Sequence, residues 1–358
     1  MSRVYNFSAG PAVLPLEVLQ EAQADLVNYQ GKGMSVMEMS HRGKDYMAIQ
    51  DEAQANIREL LGLSSDFEVL FIQGGASLQF AMVPMNFLGK DTFADYVCAG
   101  NWGAKAAKEA RLFGQVNLAA SCDKEIPTRM PEPDELAWTP GAAYAHITSN
   151  ETISGAQWKQ MPVTGAPLIA DMSSDILSRP IDVNAFSMIY AGAQKNLGPA
   201  GVALVVIRKD FAEKGNKALP NMLRYTTYIE NGSMYNTPPC FSIYMLSLTT
   251  RWLKNFGLEA IYRQNVEKAA LIYAVIDSGT FYRGTAAKAY RSDMNVTFRL
   301  PTEELEARFC EEAAKAGLKG LKGHRSVGGI RASIYNAFPV AGVEALVSFM
   351  KDFEKRCG

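Results

Sequence analysis

Cysteine and histidine are scarce, and neither sign of charge is in excess. The five cysteines (Cys98, Cys122, Cys240, Cys310 and Cys357) are odd in number, scattered and never spaced C-x-x-C. That pattern argues against a disulfide framework and against a thiolate zinc site. With 36 basic and 37 acidic residues, the net charge of −1 gives no overall field toward nucleic acid or an anionic membrane, so any anion must be caught locally. The longest apolar run near the middle, Val202 to Ile207, is far short of the ~20 residues that span a bilayer. The start, Met1 to Pro15, lacks a basic segment leading into a long apolar stretch, so we expect no secretory signal and a cytoplasmic location.

At 358 residues, 48% of them hydrophobic and 20% charged, the chain has the composition of a globular protein with room for two domains. Apolar positions at helical spacing predict helices over Leu16–Tyr29 and Ile49–Leu60, the second stopped by Gly62. Between them lies a loop, Gly31 to Gly43, carrying His41-Arg42. Short apolar runs at Glu68–Ile72, Asp95–Cys98, Ala143–Ile147, Pro167–Ala170, Met188–Ala191 and Val202–Ile207 read as buried strands of a mostly parallel sheet. One long helical stretch is expected from Leu246 to Ala274, and a second, smaller α/β domain after it. In that domain Met294–Leu300 and Gly329–Tyr335 read as strands. Thr302-Glu303-Glu304 opens a helix closed by Gly317, and Val343, Leu346, Val347, Met350 and Phe353 form the apolar face of a last helix.

Within this frame a few segments carry chemistry. Strand Met188–Ala191 runs into Gly192-Ala193-Gln194-Lys195-Asn196, a small-residue turn with one lysine. Taken alone it is a solvated surface charge; partly buried, its amine suits a nucleophile that forms a Schiff base. Asp171 ends the strand before it, where acids face the ligand crevice of parallel sheets; it either caps the next turn or pairs with a protonated pyridine nitrogen. After Glu68–Ile72 come Gly74-Gly75-Ala76-Ser77 and a helical pattern over Leu78–Leu88, which is either a tight turn or an anion cradle at a helix N-terminus. Neither a Walker A nor a G-x-G-x-x-G pattern is present. Trp102, on a glycine-flanked loop, either packs or stacks on a planar ligand. Of three histidines, two precede arginine, as His41-Arg42 and His324-Arg325, and Arg331 follows on a strand. These pairs either arise by chance or gather around a carboxylate or phosphate. His146 reads as a hydrogen-bonded core residue.

Together these features resemble the phosphoserine aminotransferases, a family of class V aminotransferases dependent on pyridoxal 5'-phosphate (PLP). The resemblance spans nearly the whole chain: Asn6-Phe7-Ser8-Ala9-Gly10-Pro11, Ser40-His41-Arg42, Gly74 to Ser77, Gly100-Asn101-Trp102, Ser149 to Gly155, Ala170 to Ser174, Gly192 to Asn196, Asn236-Thr237-Pro238-Pro239 and Gly323 to Gly329. It implies an α/β PLP-dependent transferase of fold type I, with a large domain at 16–268 around a mostly parallel central sheet. Residues 1–15 and 269–358 would form the small domain. It further implies a homodimer with shared active sites.

By similarity, Lys195 would carry the cofactor and shuttle protons, Asp171 would hold the ring nitrogen, Trp102 would stack on the ring and Thr152 would bond its phenolic oxygen. Ala76, Ser77 and Gln194 would hold the cofactor phosphate, with Asn236 and Thr237 from the other subunit. His41, Arg42, His324 and Arg325 would bind the substrate phosphate, and Arg331 its α-carboxylate.

The implied reaction moves the amino group of L-glutamate to 3-phosphohydroxypyruvate, giving O-phospho-L-serine and 2-oxoglutarate in the L-serine pathway. A related phosphorylated hydroxythreonine would extend it to pyridoxine synthesis. Some family members carry arginine where this chain has Ser77, which leaves open how many cations face the substrate phosphate. The competing readings are an alanine–glyoxylate type aminotransferase and a non-catalytic relative that binds a phosphorylated metabolite. A cysteine desulfurase is disfavoured, because the loop before Arg331 has no cysteine and Cys310 falls in a helical pattern.

Overall fold

The computed structural model describes residues 3–358. Its centre is a seven-stranded sheet. From one edge to the other the strands are Phe67–Ile72, Ala203–Arg208, Met188–Gly192, Leu168–Asp171, Ala145–Thr148, Phe93–Cys98 and Gln115–Ser121. All neighbours pair in parallel except Ala203–Arg208, which is antiparallel on both sides. Apolar residues alternate between the two faces: Val69, Phe71, Ile147 and Ala170 enter one core, and Leu70, Ile72, Ile169 and Tyr190 the other. Helices cover both, so the strands read as continuous apolar runs.

The expected strands are present to within a residue or two. The sequence reading missed the edge strand Gln115–Ser121, most of whose residues stay partly or fully exposed and so leave no apolar run.

Three further expectations are corrected. The stretch from Leu246 to Ala274 is not one helix. It divides into Cys240–Phe256 and Leu258–Asp277 at Gly257, whose φ of +88° belongs to the region glycine favours. The first helix ends at Asp25 rather than Tyr29. Trp102 lies not on a loop but in the first turn of the helix Asn101–Ala110.

A smaller unit follows, in which the antiparallel strands Arg283–Gly284, Asn295–Arg299 and Ile330–Ser333 pack against Glu303–Lys315 and Val340–Cys357. Thr302 caps the first of these helices, its hydroxyl accepting from Leu305 N–H at 3.3 Å. The chain start joins this unit: Tyr5–Asn6 pairs in parallel with Leu318–Lys319, and Phe7 is buried in the same core. No helix among the described residues is long and apolar enough to cross a membrane. All five cysteines are free thiols.

Buried polar groups tie the two cores together. Asn336 is a hub: its N–H donates to Asn196 Oδ1 (3.1 Å), its side-chain amide to Leu177 O (2.8 Å), and its Oδ1 accepts from Asn265 (2.8 Å). Lys268 is fully buried with no carboxylate partner among the described residues. Its ammonium donates to the carbonyls of Ile334 (3.0 Å), Tyr335 (2.8 Å) and Phe338 (3.2 Å), while burial pushes its pKa down to about 7. Three donors thus meet three acceptors, so the contact is saturated. Lys268→Met, which keeps the stem but strands these carbonyls, is expected to cost about 3 kcal/mol, read as a lowered urea unfolding midpoint.

Candidate active site

Parallel strands end together at their carboxyl edge, and there the chain builds a cavity of about 130 Å³. Ala76, Ser77, Trp102, Thr152, Asp171, Gln194 and Lys195 all line it.

One wall is the start of the helix Gly75–Phe87. Gly74 turns into it at φ +86°, and a Cβ there would sit 2.7 Å from Leu78 Cβ. The turn therefore requires glycine, and it leaves the first-turn N–H groups of Gly75, Ala76 and Ser77 without intrahelical partners. With the helix dipole behind them these donors suit an anion, and Ser77 adds a hydroxyl.

The floor is Asp171, 3% exposed at the end of its strand. Its Oδ1 accepts from Ser173 N–H (2.9 Å) and Ser173 Oγ–H (2.6 Å). Asp171 thus caps the turn, and it also lines the cavity. Burial raises its pKa, against the pull of Ser173 and of the Lys195 charge.

Lys195 stands on the turn after the neighbouring strand. Its Nζ donates to Thr152 Oγ1 at 2.7 Å and lies 5.6 Å from the centre of the Trp102 ring. Burial lowers its pKa to about 8, with Asp171 and Glu151 opposing and Arg331 assisting. Such an amine is a usable nucleophile and proton carrier near neutrality.

Arg331 lies on its strand in the small sheet and lines a separate cavity of about 520 Å³ with Ile153, Ser154 and Gly328. Its Nε is buried with no hydrogen-bond partner. His324 and Arg325 line a neighbouring groove, with His324 Nδ1 2.7 Å from Ser326 Oγ. Burial and the charges of Arg331, Arg325 and Lys105 hold the His324 pKa below its usual value.

Within one chain the remaining candidates stand outside the cavity. Arg42 Nε donates to His41 Nε2 (3.4 Å) ahead of the helix Lys44–Leu61. Asn236 donates to Gln73 Oε1 (3.3 Å), and the Thr237 carbonyl accepts from Gln73 Nε2 (3.2 Å). His146 is a buried core residue, as expected, with Nε2 2.8 Å from Tyr190 Oη.

Two charged residues at the site escaped the sequence reading. Lys105 places its ammonium 4.3 Å from the Trp102 ring centre. It falls one helical turn after Trp102, a spacing that offered a signal. Glu151 is fully buried beside Thr152, and nothing in the sequence marks a carboxylate between Asn150 and Thr152 for burial. Burial pushes its pKa up to about 7, against two backbone N–H donors.

The lowered Lys195 pKa gives a direct check. In protein freed of carbonyl compounds, amine-directed acylation of Lys195 followed by peptide mass spectrometry is expected to rise with pH through a midpoint near 8. A midpoint near the ordinary lysine value would contradict the environment described.

Comparison with known proteins agrees with this geometry. The family model for aminotransferase class-V matches residues 4–346. A phosphoserine aminotransferase of Desulfosudis oleivorans is 55% identical over 360 residues, covering 99% of each chain. The solved phosphoserine aminotransferase from Bacillus circulans subsp. alkalophilus superposes with a TM-score of 0.96 at 55% identity, again over 99% of each chain. A PLP-bound phosphoserine aminotransferase from Trichomonas vaginalis gives 0.94 at 42% identity, covering 98% of this chain and 100% of its own. The chain belongs to the class V aminotransferase family and, within it, to the phosphoserine aminotransferases.

Proposed function

We propose that the protein transfers the amino group of L-glutamate to 3-phosphohydroxypyruvate, giving O-phospho-L-serine and 2-oxoglutarate, with PLP as cofactor. The observation that carries this reading is one cavity holding the Lys195 amine on Thr152, the buried Asp171 carboxylate and a helix N-terminal anion cradle. The donor set fits the cofactor. The cradle suits a phosphate, Asp171 a pyridinium nitrogen and Trp102 a ring face, while the buried Thr148 Oγ1 and Trp102 Nε1 still lack partners.

Bound PLP supplies an electron sink for negative charge developing at the substrate Cα. The chain's own groups do the rest. With the cofactor bound, Lys195 Nζ would carry a proton between the substrate Cα and the cofactor C4′, first as base and then as acid, for which its lowered pKa suits it. Thr152 accepts from Nζ, orienting it, and its hydroxyl would donate to the phenolic oxygen. Asp171 would hold the ring nitrogen and keep it protonated, since a pair of opposite charges offsets the cost of burying the carboxylate.

Ala76, Ser77 and Gln194 would hold the cofactor phosphate, joined by Asn236 and Thr237 of the partner subunit in a homodimer. Arg331 clamps the α-carboxylate, for which its buried, unpartnered Nε is suited. His41, Arg42, His324 and Arg325 receive the substrate phosphate, and Lys105 adds a cation where Ser77 brings none. We place the large domain at 16–268 and the small one at 1–15 with 269–358, a division supported by the separate cores; residues 1 and 2 lie outside the described residues. Free cysteines support a cytoplasmic location.

Two measurements test this. O-phospho-L-serine and L-glutamate are each expected to bleach the visible cofactor band, L-alanine is not, and Lys195→Ala should abolish transamination; bleaching by L-alanine alone would point to an alanine–glyoxylate enzyme. Mixing Lys195→Ala subunits with Asn236→Ala/Thr237→Ala subunits should recover about a quarter of the activity, since half the dimers are mixed and each of those has one intact site. No recovery would show that the sites are not shared.

A further inference from the structure

Glu151 belongs to no group assigned above, yet its side chain is fully enclosed on the short strand Asn150–Glu151. Its carboxylate ends at the N-terminus of the helix Asn101–Ala110. Oε2 accepts from Trp102 N–H (3.2 Å) and Oε1 from Gly103 N–H (3.0 Å). Those are donors that a helix start leaves unpaired, and a negative charge there also meets the positive end of the helix dipole.

The helix has no cap of its own, because its N-cap residue is Gly100 and no side chain accepts there from within the segment. The reason is steric: a Cβ at Gly100 would lie 2.5 Å from Glu151 Cδ. A residue from another strand thus occupies the space where a local cap would stand.

What this cap holds is Trp102. The indole Nε1 is buried without a partner, so no hydrogen bond on the ring sets its tilt; Lys105 lies over one face at 4.3 Å, and Phe80 stands obliquely, at 6.4 Å between centroids and 47°. The backbone that carries the ring is held at its N–H by Glu151, which fixes where the side chain leaves the helix. We infer that Glu151 is a positioning residue that sets the Trp102 ring in the cavity wall, and through it the fit of the cofactor ring. This rests on the PLP reading above. It differs from a direct electrostatic action of Glu151 on Lys195, which would not need the indole.

A double-mutant cycle on the holoenzyme separates the two, using Glu151→Gln, Trp102→Ala and the double variant. The readouts are the induced circular dichroism of the visible cofactor band and the rate of cofactor loss into cofactor-free buffer. Glu151→Gln is expected to weaken the dichroic signal and to speed cofactor loss about fivefold, the scale of a lost helix cap. In the Trp102→Ala background the same substitution should change neither readout appreciably. An equal effect in both backgrounds, or none in the unsubstituted one, overturns the inference. Should Glu151→Gln fail to fold, Glu151→Asp, which keeps the charge but shortens the reach, enters the same cycle with the same two outcomes. A protein with no visible band in any variant would refute the cofactor reading itself.

Discussion

A carboxylate buried at the end of a central strand is the constraint on which the site turns. That residue is Asp171, and burial pushes its pKa up. Ser173 answers with two hydrogen bonds to one oxygen, and the Lys195 charge acts in the same direction. The Ser173 hydroxyl oxygen also accepts from Gly192 N–H at 3.0 Å. The end of the adjacent strand, from which Lys195 follows, is thereby locked to the turn that carries the acid. Acid and amine are placed by one small hydrogen-bonded unit, and the sheet exists to hold it.

Much of this was legible in the sequence because the central sheet is covered on both faces. Its strands are uninterrupted apolar runs, and the residues that end them, Asp171 and the turn to Lys195, fall at the crevice by topology alone. The edge strand Gln115–Ser121 was not legible, since half-exposure dilutes the apolar signal. The division at Gly257 was missed because the apolar spacing continues across it and only the glycine marks the stop.

The side-chain environment was harder still. Glu151 and Lys268 are charged residues whose partners are backbone groups from distant segments, and no local pattern encodes that. For the cations, the sequence named residue types but not proximity. Arg331 and His324 are near enough to influence one another, whereas His41, Arg42, Asn236 and Thr237 lie outside the cavity of their own chain. A homodimer with shared sites would resolve that separation.

The Asn336 hub joins the segment after the Arg331 strand to Asn196, the residue next to Lys195, and Asn265 ties the long helix Leu258–Asp277 to the same point. Asn150 does likewise from the other side, donating to Ser174 and to Asn295 of the small sheet at 2.8 Å each. The smaller lobe is therefore no free-swinging door. A rotation of the strand that bears Arg331 would pull on the same stitches that hold Asn196, so the position of the guanidinium and that of the neighbouring amine are tied through one set of bonds.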